Sequence, residues 1–386
     1  MKRLPWVVLG LLVLLRADEP AAACSLCGSL QNRETFRHEM EQAKVVLYGA
    51  VTRSELSSTP GALAGTGSSE FQILRVLKSD PALIRDRKSI QLPGYLPILD
   101  PKNPPRLIYF FSVIDGALKP RLGREVRSQE ALKYVEGILT LQGKDRTQAL
   151  LYFFRFLDDE DPRIAEDAFL EFARSSDAEV GAVARHLPAE QLRRLIGSPR
   201  TPPERLGLYA FLLSAAGNPQ DADLLRGMIE RPTPRSEDAL GGLLCGYINL
   251  RPREGWDLAI AVVTDNKRSF SQRFAVAHAL RFFYGWKPAE SRPHVLRVQE
   301  TMIADGAVAD LAIEDLRRWK IWDLTGKILA QYNKQSHDAP IARLAILRYA
   351  LCCPLPEARR FVEEVRRREP QTVRQLEESL ELERQE

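Results

Sequence analysis

The chain has 386 residues, of which 45% are hydrophobic and 27% are charged, a composition typical of globular proteins and a length sufficient for two domains. The 55 basic residues nearly balance the 51 acidic ones and leave a formal net charge of +4. Because no dense basic run is interleaved with aromatic residues, the composition does not suggest a nucleic-acid-binding protein.

The first 23 residues have the pattern of a secretory signal peptide. Lys2 and Arg3 precede an apolar run over residues 6–15, which is too short to span a bilayer as a mature helix, and Ala21-Ala22-Ala23 supplies small residues for cleavage. We therefore predict an exported protein (periplasmic, cell-surface or secreted) whose mature chain begins at Cys24. Cleavage after Ala17, an uncleaved membrane anchor and a lipidated Cys24 are the alternatives, although the three alanines are a poor lipidation signal.

Five cysteines are few for a secreted disulfide scaffold, and Cys24 and Cys27 form a Cys-X-X-Cys pair. Such a pair can be a redox centre, half of a zinc site or part of a haem attachment. Each of these sites also requires further residues or a particular secondary structure around the pair. Haem attachment requires His where Gly28 stands, a thioredoxin-type pair requires a strand before it and a helix after it, and zinc requires two more ligands where only His38 is near. We predict a local disulfide between Cys24 and Cys27, with no metal and no cofactor.

Residues 24–125 are predicted to form a small antiparallel β unit. Residues 43–51 and 71–77 are β-rich and lie on either side of a Ser/Gly/Thr/Pro-rich loop, and residues 107–113 lead into the turn Ile114-Asp115-Gly116-Ala117. Five prolines between residues 93 and 105 indicate a long irregular excursion.

The cysteine at position 24 and the segments AKVVLYGAV, FQILRVLKSDPAL and LIYFFSVIDGAL resemble the netrin-like module, the five-stranded OB-type barrel also found in tissue inhibitors of metalloproteinases. The resemblance implies such a barrel over residues 24–125. In those inhibitors the free amine and carbonyl of the first cysteine chelate the zinc of the target, which implies that role for a mature N-terminal Cys24. This chain departs from their Cys-X-Cys pair and has no further cysteine between Cys27 and Cys245.

Residues 126–386 are predicted to form an all-α domain of short amphipathic helices. In one helix, Asp161 is expected as the N-cap and Pro162 as the first helical residue, followed by an apolar stripe. A second begins at Thr201-Pro202-Pro203-Glu204, which has capping-box spacing, and ends at Gly217 and Pro219. Each needs a neighbour to bury its stripe, as in a solenoid. The stripe of the first helix comprises Ile164, Ala165, Ala168, Phe169 and Phe172.

Residues 145–368 resemble HEAT-like repeats, which implies an α-solenoid, with a non-repetitive helical bundle as the alternative. The charged tail over residues 357–386 is predicted to be one capping helix. The whole chain also resembles a family of exported bacterial proteins, a resemblance that implies no activity.

The five histidines are far apart in sequence and form no paired metal motif. His278 lies beside an apolar helical stripe and is expected to be a hydrogen-bonded core residue. In Ser336-His337-Asp338, the aspartate is expected to cap the helix that begins near Pro340 rather than to belong to a catalytic triad.

Arg317, Arg318, Trp319 and Trp322 lie in the most distinctive segment of the helical part. As structural residues, the tryptophans would fill the space between helices and the arginines would pair with carboxylates. As functional residues, they have the composition of a binding hot spot. The structural interpretation is favoured, and the same four residues are the candidate interaction surface.

These patterns predict a multi-domain α+β protein with a small antiparallel netrin-like β-barrel followed by a HEAT-like all-α solenoid. The expected function is non-catalytic binding or scaffolding of a protein partner, with no catalytic residue and no nucleic acid. Membrane association would require an uncleaved signal or a lipidated Cys24. The alternative functions are metalloprotease inhibition through Cys24 and an enzyme whose site is assembled from distant residues.

Overall fold

The computed structural model describes residues 24–27, 33–57, 66–79, 81–84 and 87–385. It has a five-stranded antiparallel sheet in its N-terminal part, followed by helices up to the C-terminus. The predicted α+β class, with the sheet before the helices, is thus confirmed. Within these ranges, no helix combines the length and the apolar character needed to cross a membrane. The predicted signal peptide lies outside the described residues.

The sheet has the strand order β3-β2-β1-β4-β5, and every neighbouring pair is antiparallel. β3 was not predicted, and it ends at Pro93, where the predicted irregular excursion begins. Residues 94–105 form neither a helix nor a strand, as that prediction expected. The predicted turn is a two-residue hairpin between β4 and β5, in which Asp115 and Gly116 have φ values of 51° and 74°, as this tight turn requires. The strands are β1 (Val45–Leu56), β2 (Gly67–Lys78), β3 (Ser89–Pro93), β4 (Arg106–Ile114) and β5 (Ala117–Glu125).

The two faces of the sheet have different neighbours because successive side chains of a strand point to opposite faces. One face holds a small local core that includes Leu47, Phe71 and Phe111. The other face, with Val46 and Phe110, joins the core of the helices.

Two helices cover this second face, α1 (Phe36–Gln42) and α3 (Gln129–Leu139). Phe36 of α1 packs between Phe110 of β4 and Tyr134 of α3, with ring centroids 6.4 Å and 6.3 Å away. α3 lies in the part of the chain that was predicted to be helical, whereas α1 was not predicted. The short α2 (Pro81–Ile84) follows β2.

Proline is the first residue of many of the later helices, because it lacks the N–H that would otherwise be unpaired there and cannot continue a preceding helix. The helices are α4 (Arg146–Phe154), α5 (Pro162–Ala173), α6 (Asp177–Ala184), α7 (Ala189–Gly197), α8 (Pro203–Ala216), α9 (Pro219–Glu230), α10 (Pro234–Asp238), α11 (Leu240–Leu250), α12 (Pro252–Thr264), α13 (Phe270–Trp286), α14 (Pro288–Ile303), α15 (Ala309–Arg318), α16 (Thr325–Leu329), α17 (Pro340–Cys352), α18 (Pro356–Arg368) and α19 (Pro370–Glu383).

The predicted start of α5 is confirmed. Asp161 is its N-cap and accepts a hydrogen bond from the Arg163 N–H, and Pro162 is the first helical residue. The whole predicted stripe is buried, including Phe169 and Phe172.

Three local predictions were wrong. The Thr201 hydroxyl does not cap α8, whose N-cap is Pro202, but donates to the Leu195 carbonyl oxygen at 2.6 Å. Asp338 does not cap α17, because the N-cap there is Ala339, without a side-chain hydrogen bond. The C-terminal tail is two helices, α18 and α19, since Pro370 interrupts the first.

Candidate functional site

Residues 24–27 form a small loop, closed by a disulfide between Cys24 and Cys27. Both cysteines are 1% exposed and belong to the same buried cluster as the helices. The Cys27 N–H donates to the Cys24 carbonyl oxygen at 3.1 Å. Because its sulfur is bonded to Cys27, Cys24 has no thiol left for a lipid in this structure.

Polar contacts hold this disulfide loop against α5 and α6. The Cys24 N–H donates to the carbonyl oxygen of Ala173 at 3.2 Å. The N–H and the hydroxyl of Ser25 donate to the two carboxyl oxygens of Asp177 at 2.8 Å and 2.7 Å. Burial raises the pKa of Asp177 to about 7, and the hydrogen bonds from Ser25 oppose this rise. The largely buried carboxyl of Asp177 thus accepts the hydrogen bonds that hold the disulfide loop in place.

His278 of α13 contacts the loop from another side. Its Nδ1 lies 3.2 Å from the Ser25 carbonyl oxygen, which can only accept, so Nδ1 carries the proton. Burial lowers the pKa of His278, which favours the neutral ring with its lone pair on Nε2. The Phe274 ring stands edge-on to the imidazole, with centroids 4.7 Å apart. His278 is hydrogen-bonded, as predicted, but it is only half-buried.

A cavity of about 440 Å³ opens between the disulfide loop and helices α8, α10, α11 and α13, and we call it the loop groove. Leu26 and Phe274 are the largest apolar residues of its lining. The loop groove is lined by Ser25, Leu26, Pro203, Glu204, Gly207, Glu237, Asp238, Ala239, Gly241, Gly242, Ser271, Phe274, Ala275 and His278.

Three glycines in the lining of the loop groove let helix backbones approach each other closely. A Cβ atom on Gly242 of α11 would lie 2.2 Å from the carbonyl oxygen of Gly207 of α8. One on Gly241 would lie 3.0 Å from the carbonyl oxygen of Ala275 of α13. A larger residue at Gly242 would force α8 and α11 apart, so that position requires glycine. At Gly241 the neighbouring backbone would only have to shift slightly.

The rim of the loop groove is acidic. Glu204, Glu237 and Asp238 are exposed there, and the lining includes no Lys or Arg among the described residues. The nearby Arg281 lies over the Phe274 ring, 5.8 Å from its centroid, but its Nε donates to the carboxylate of Asp315 at 2.8 Å and 3.0 Å. That cation is therefore paired with an acid outside the lining.

A second, smaller cavity of about 280 Å³ lies where the β unit meets α3 and α5. Asp167 at its edge accepts hydrogen bonds from the Tyr134 hydroxyl at 2.6 Å and the Phe36 N–H at 2.9 Å. Burial raises the pKa of Asp167 to about 6. Arg33 at the mouth pairs with Glu166. The charges of this cavity are largely taken up by neighbours, so it is the weaker candidate.

The predicted arginine and tryptophan cluster does not line the loop groove. Arg317 is 7% exposed, and its guanidinium donates to Glu314 at 2.8 Å and to Glu383 at 2.7 Å. Arg318 is exposed. These contacts fit the structural interpretation of Arg317.

The two tryptophans of that cluster pack against different helices. Trp319 stacks on Tyr284 of α13, with centroids 4.0 Å apart, and Trp322 stands edge-on to Tyr349 of α17 at 5.1 Å. Both are partly buried. The cluster thus ties α15 to its neighbours.

His337 is buried, with Nδ1 2.8 Å from the Ser336 hydroxyl and Nε2 2.8 Å from the Ile303 carbonyl oxygen. Both ring nitrogens are therefore engaged in local contacts. In the part of the chain that the structure describes, no three His, Cys, Asp or Glu residues are grouped so as to hold a metal ion.

Among the residues that line the loop groove, His278 was predicted to be a core residue and Pro203 and Glu204 to mark a helix start, but none was predicted to belong to a binding site. The available signal was Gly241-Gly242 inside an otherwise apolar helix, which indicates close backbone approach. No protein-family model, curated protein or solved structure matches this chain.

Proposed function

We propose that this chain is an exported, non-catalytic protein-binding protein that holds a segment of its partner in the loop groove. The observation that carries the proposal is the loop groove itself, whose volume of about 440 Å³ falls within the range of roughly 300 to 1,000 Å³ of ligand sites. Its walls combine apolar side chains with a few polar groups, which is the usual composition of such sites.

The proposal includes the predicted architecture. α11 packs against both α8 and α13, and α15 packs against α17, which supports a HEAT-like solenoid of stacked helices. The sheet order supports a netrin-like OB module, a barrel that is often partly open. In this scheme β3 and β5, which lie at the two edges of the sheet, flank the opening.

Metalloprotease inhibition is less well supported, because both main-chain groups of Cys24 are engaged. Its N–H donates to Ala173 and its carbonyl oxygen accepts from Cys27, and the residue is 1% exposed. Chelation of a zinc ion in another protein would require the disulfide loop to leave its site.

An enzyme is also less well supported, although Ser25, Asp177 and His278 come together from distant positions. The Ser25 hydroxyl donates to Asp177, while His278 contacts the Ser25 carbonyl oxygen. The imidazole is thus not placed as the base that would take the proton of the serine hydroxyl.

The test selects peptides from a random display library on the purified chain and measures their affinities by calorimetry. Ser271 is exposed and lines the loop groove, so Ser271→Trp fills the groove from its rim. Gln220 is exposed on α9 outside it, so Gln220→Trp is the matched control. We expect at least a tenfold loss of affinity, about 1.4 kcal/mol, for Ser271→Trp and none for the control. Unchanged affinity in Ser271→Trp, with thermal unfolding as in the wild type, would refute the proposal.

A further inference from the structure

We infer that the loop groove takes a partner segment in which a Lys or Arg side chain stands beside apolar ones. The inference rests on the proposed function and adds the chemical class of the segment. It follows from the distribution of charge and apolar surface around the groove.

The acidic rim comes from two separate elements. Glu204 lies in the first turn of α8, and Glu237 and Asp238 lie at the end of α10. All three residues are exposed to solvent. The loop groove thus presents three negative charges with no cation among the described lining residues, which attracts a cationic group and repels a phosphate or a carboxylate.

These carboxylates are available to a ligand. Within the described ranges, Glu204 and Asp238 have no ion-pair partner, whereas Glu237 accepts one hydrogen bond from Gln272 at 3.0 Å. Other acidic residues of the helical part are paired, such as Asp221 with Arg193 at 2.7 Å. At the rim, an arginine or lysine of a partner protein would be the cation that pairs with these carboxylates.

Below the rim, the lining is suited to an apolar neighbour of that cation. Leu26 of the disulfide loop and Phe274 of α13 are partly buried, and Ala275 and the glycines keep the space between them open. Leaving such a surface in water is unfavourable, so burial of an aliphatic side chain there stabilises the complex. Nε2 of His278, which has no hydrogen-bond partner among the described residues, is an acceptor for an N–H of the segment.

The experiment uses peptides selected on the full chain and their matched versions in which each Lys or Arg is replaced by Gln. Binding is measured by fluorescence anisotropy to the wild type and to the triple variant Glu204→Gln, Glu237→Gln, Asp238→Asn. The control triple variant is Asp223→Asn, Glu363→Gln, Glu381→Gln. Its residues are also exposed and lie outside the loop groove, and the change in net charge is the same.

We expect the wild type to bind the basic peptides about tenfold more tightly than their Gln versions, and the rim variant to lose this preference. The control variant should keep it. The preference should also weaken at about 0.5 M salt, because the rim carboxylates are exposed and therefore screened.

The outcomes separate this inference from the proposed function. If the selected peptides lose affinity in Ser271→Trp but carry no Lys or Arg, or bind the rim variant as tightly as the wild type, the inference fails and the binding function stands. If no peptide binding depends on Ser271, both fail. A preference that disappears equally in the control variant would reflect net charge alone and would also overturn the inference.

Discussion

Replacement of Asp177 by asparagine removes the buried carboxyl that holds the disulfide loop while keeping the shape of the side chain. The asparagine Oδ1 can still accept from the Ser25 N–H, and its amide can donate to the Ser25 hydroxyl oxygen. The wild type and Asp177→Asn therefore differ chiefly in whether residue 177 can ionise.

The expected effect depends on pH. Burial raises the pKa of Asp177 from 3.8 to about 7, whereas in the unfolded chain the carboxyl ionises near its ordinary pKa. Between these two pH values the folded state binds more protons than the unfolded state, so the free energy of unfolding falls as the pH rises. At about 1.4 kcal/mol per pKa unit, the wild type should lose about 4 kcal/mol relative to Asp177→Asn between about pH 4 and about pH 7. Above that range the difference should stay constant.

The assay is urea unfolding of both proteins, followed by circular dichroism at steps from about pH 4 to about pH 8. Burial lowers the pKa of His278, so that group makes the folded state more stable as pH rises, in the opposite sense. His278 is present in both proteins, so its contribution largely cancels in the difference. A difference in unfolding free energy that does not grow with pH would refute the assignment of Asp177 as a buried carboxyl with a raised pKa.

Two further predictions concern helix packing, and both are measured as unfolding free energies in denaturant titrations. Arg317→Ala should cost about 2 kcal/mol, because Arg317 is nearly buried between Glu314 and Glu383, whereas Arg318→Ala should change stability by less than about 0.5 kcal/mol. Equal effects of Arg317→Ala and Arg318→Ala would mean that the ion pairs of Arg317 do not contribute to the free energy of unfolding. Gly242→Ala should cost at least about 2 kcal/mol, because its Cβ would meet the Gly207 backbone. Gly326→Ala, whose Cβ would meet nothing within 4 Å, should instead stabilise α16 by up to about 1 kcal/mol, and a neutral Gly242→Ala would contradict the close helix approach.

The sequence predicts those elements whose signals are local. Asp161 and Pro162 mark the start of α5 because capping involves only neighbouring residues, and the Asp115-Gly116 pair marks a hairpin for the same reason. Where a tertiary contact competes, local signals mislead. Thr201 has the spacing of a cap, but its hydroxyl donates to Leu195 in the preceding helix.

The short α1 and the loop groove show what a single sequence leaves out. α1 has seven residues, too few for a clear helical period, and it is stabilised by Phe36 between Phe110 and Tyr134. Cys24 and Cys27 could be paired because they are three residues apart. The loop groove is lined by residues of the disulfide loop and of four helices, and only the packing of those helices places them together.

The disulfide loop is made early in synthesis, but some of the residues that it contacts are made much later. Ser25 contacts Asp177 and His278, which follow it by 152 and 253 residues. The ring of Cys24 and Cys27 can close once both cysteines are in an oxidising compartment, but its contact with α13 requires most of the chain to have been made. A chain that stops before α13 therefore holds the ring only through α5 and α6, and it lacks the wall of the loop groove that Phe274 and His278 supply.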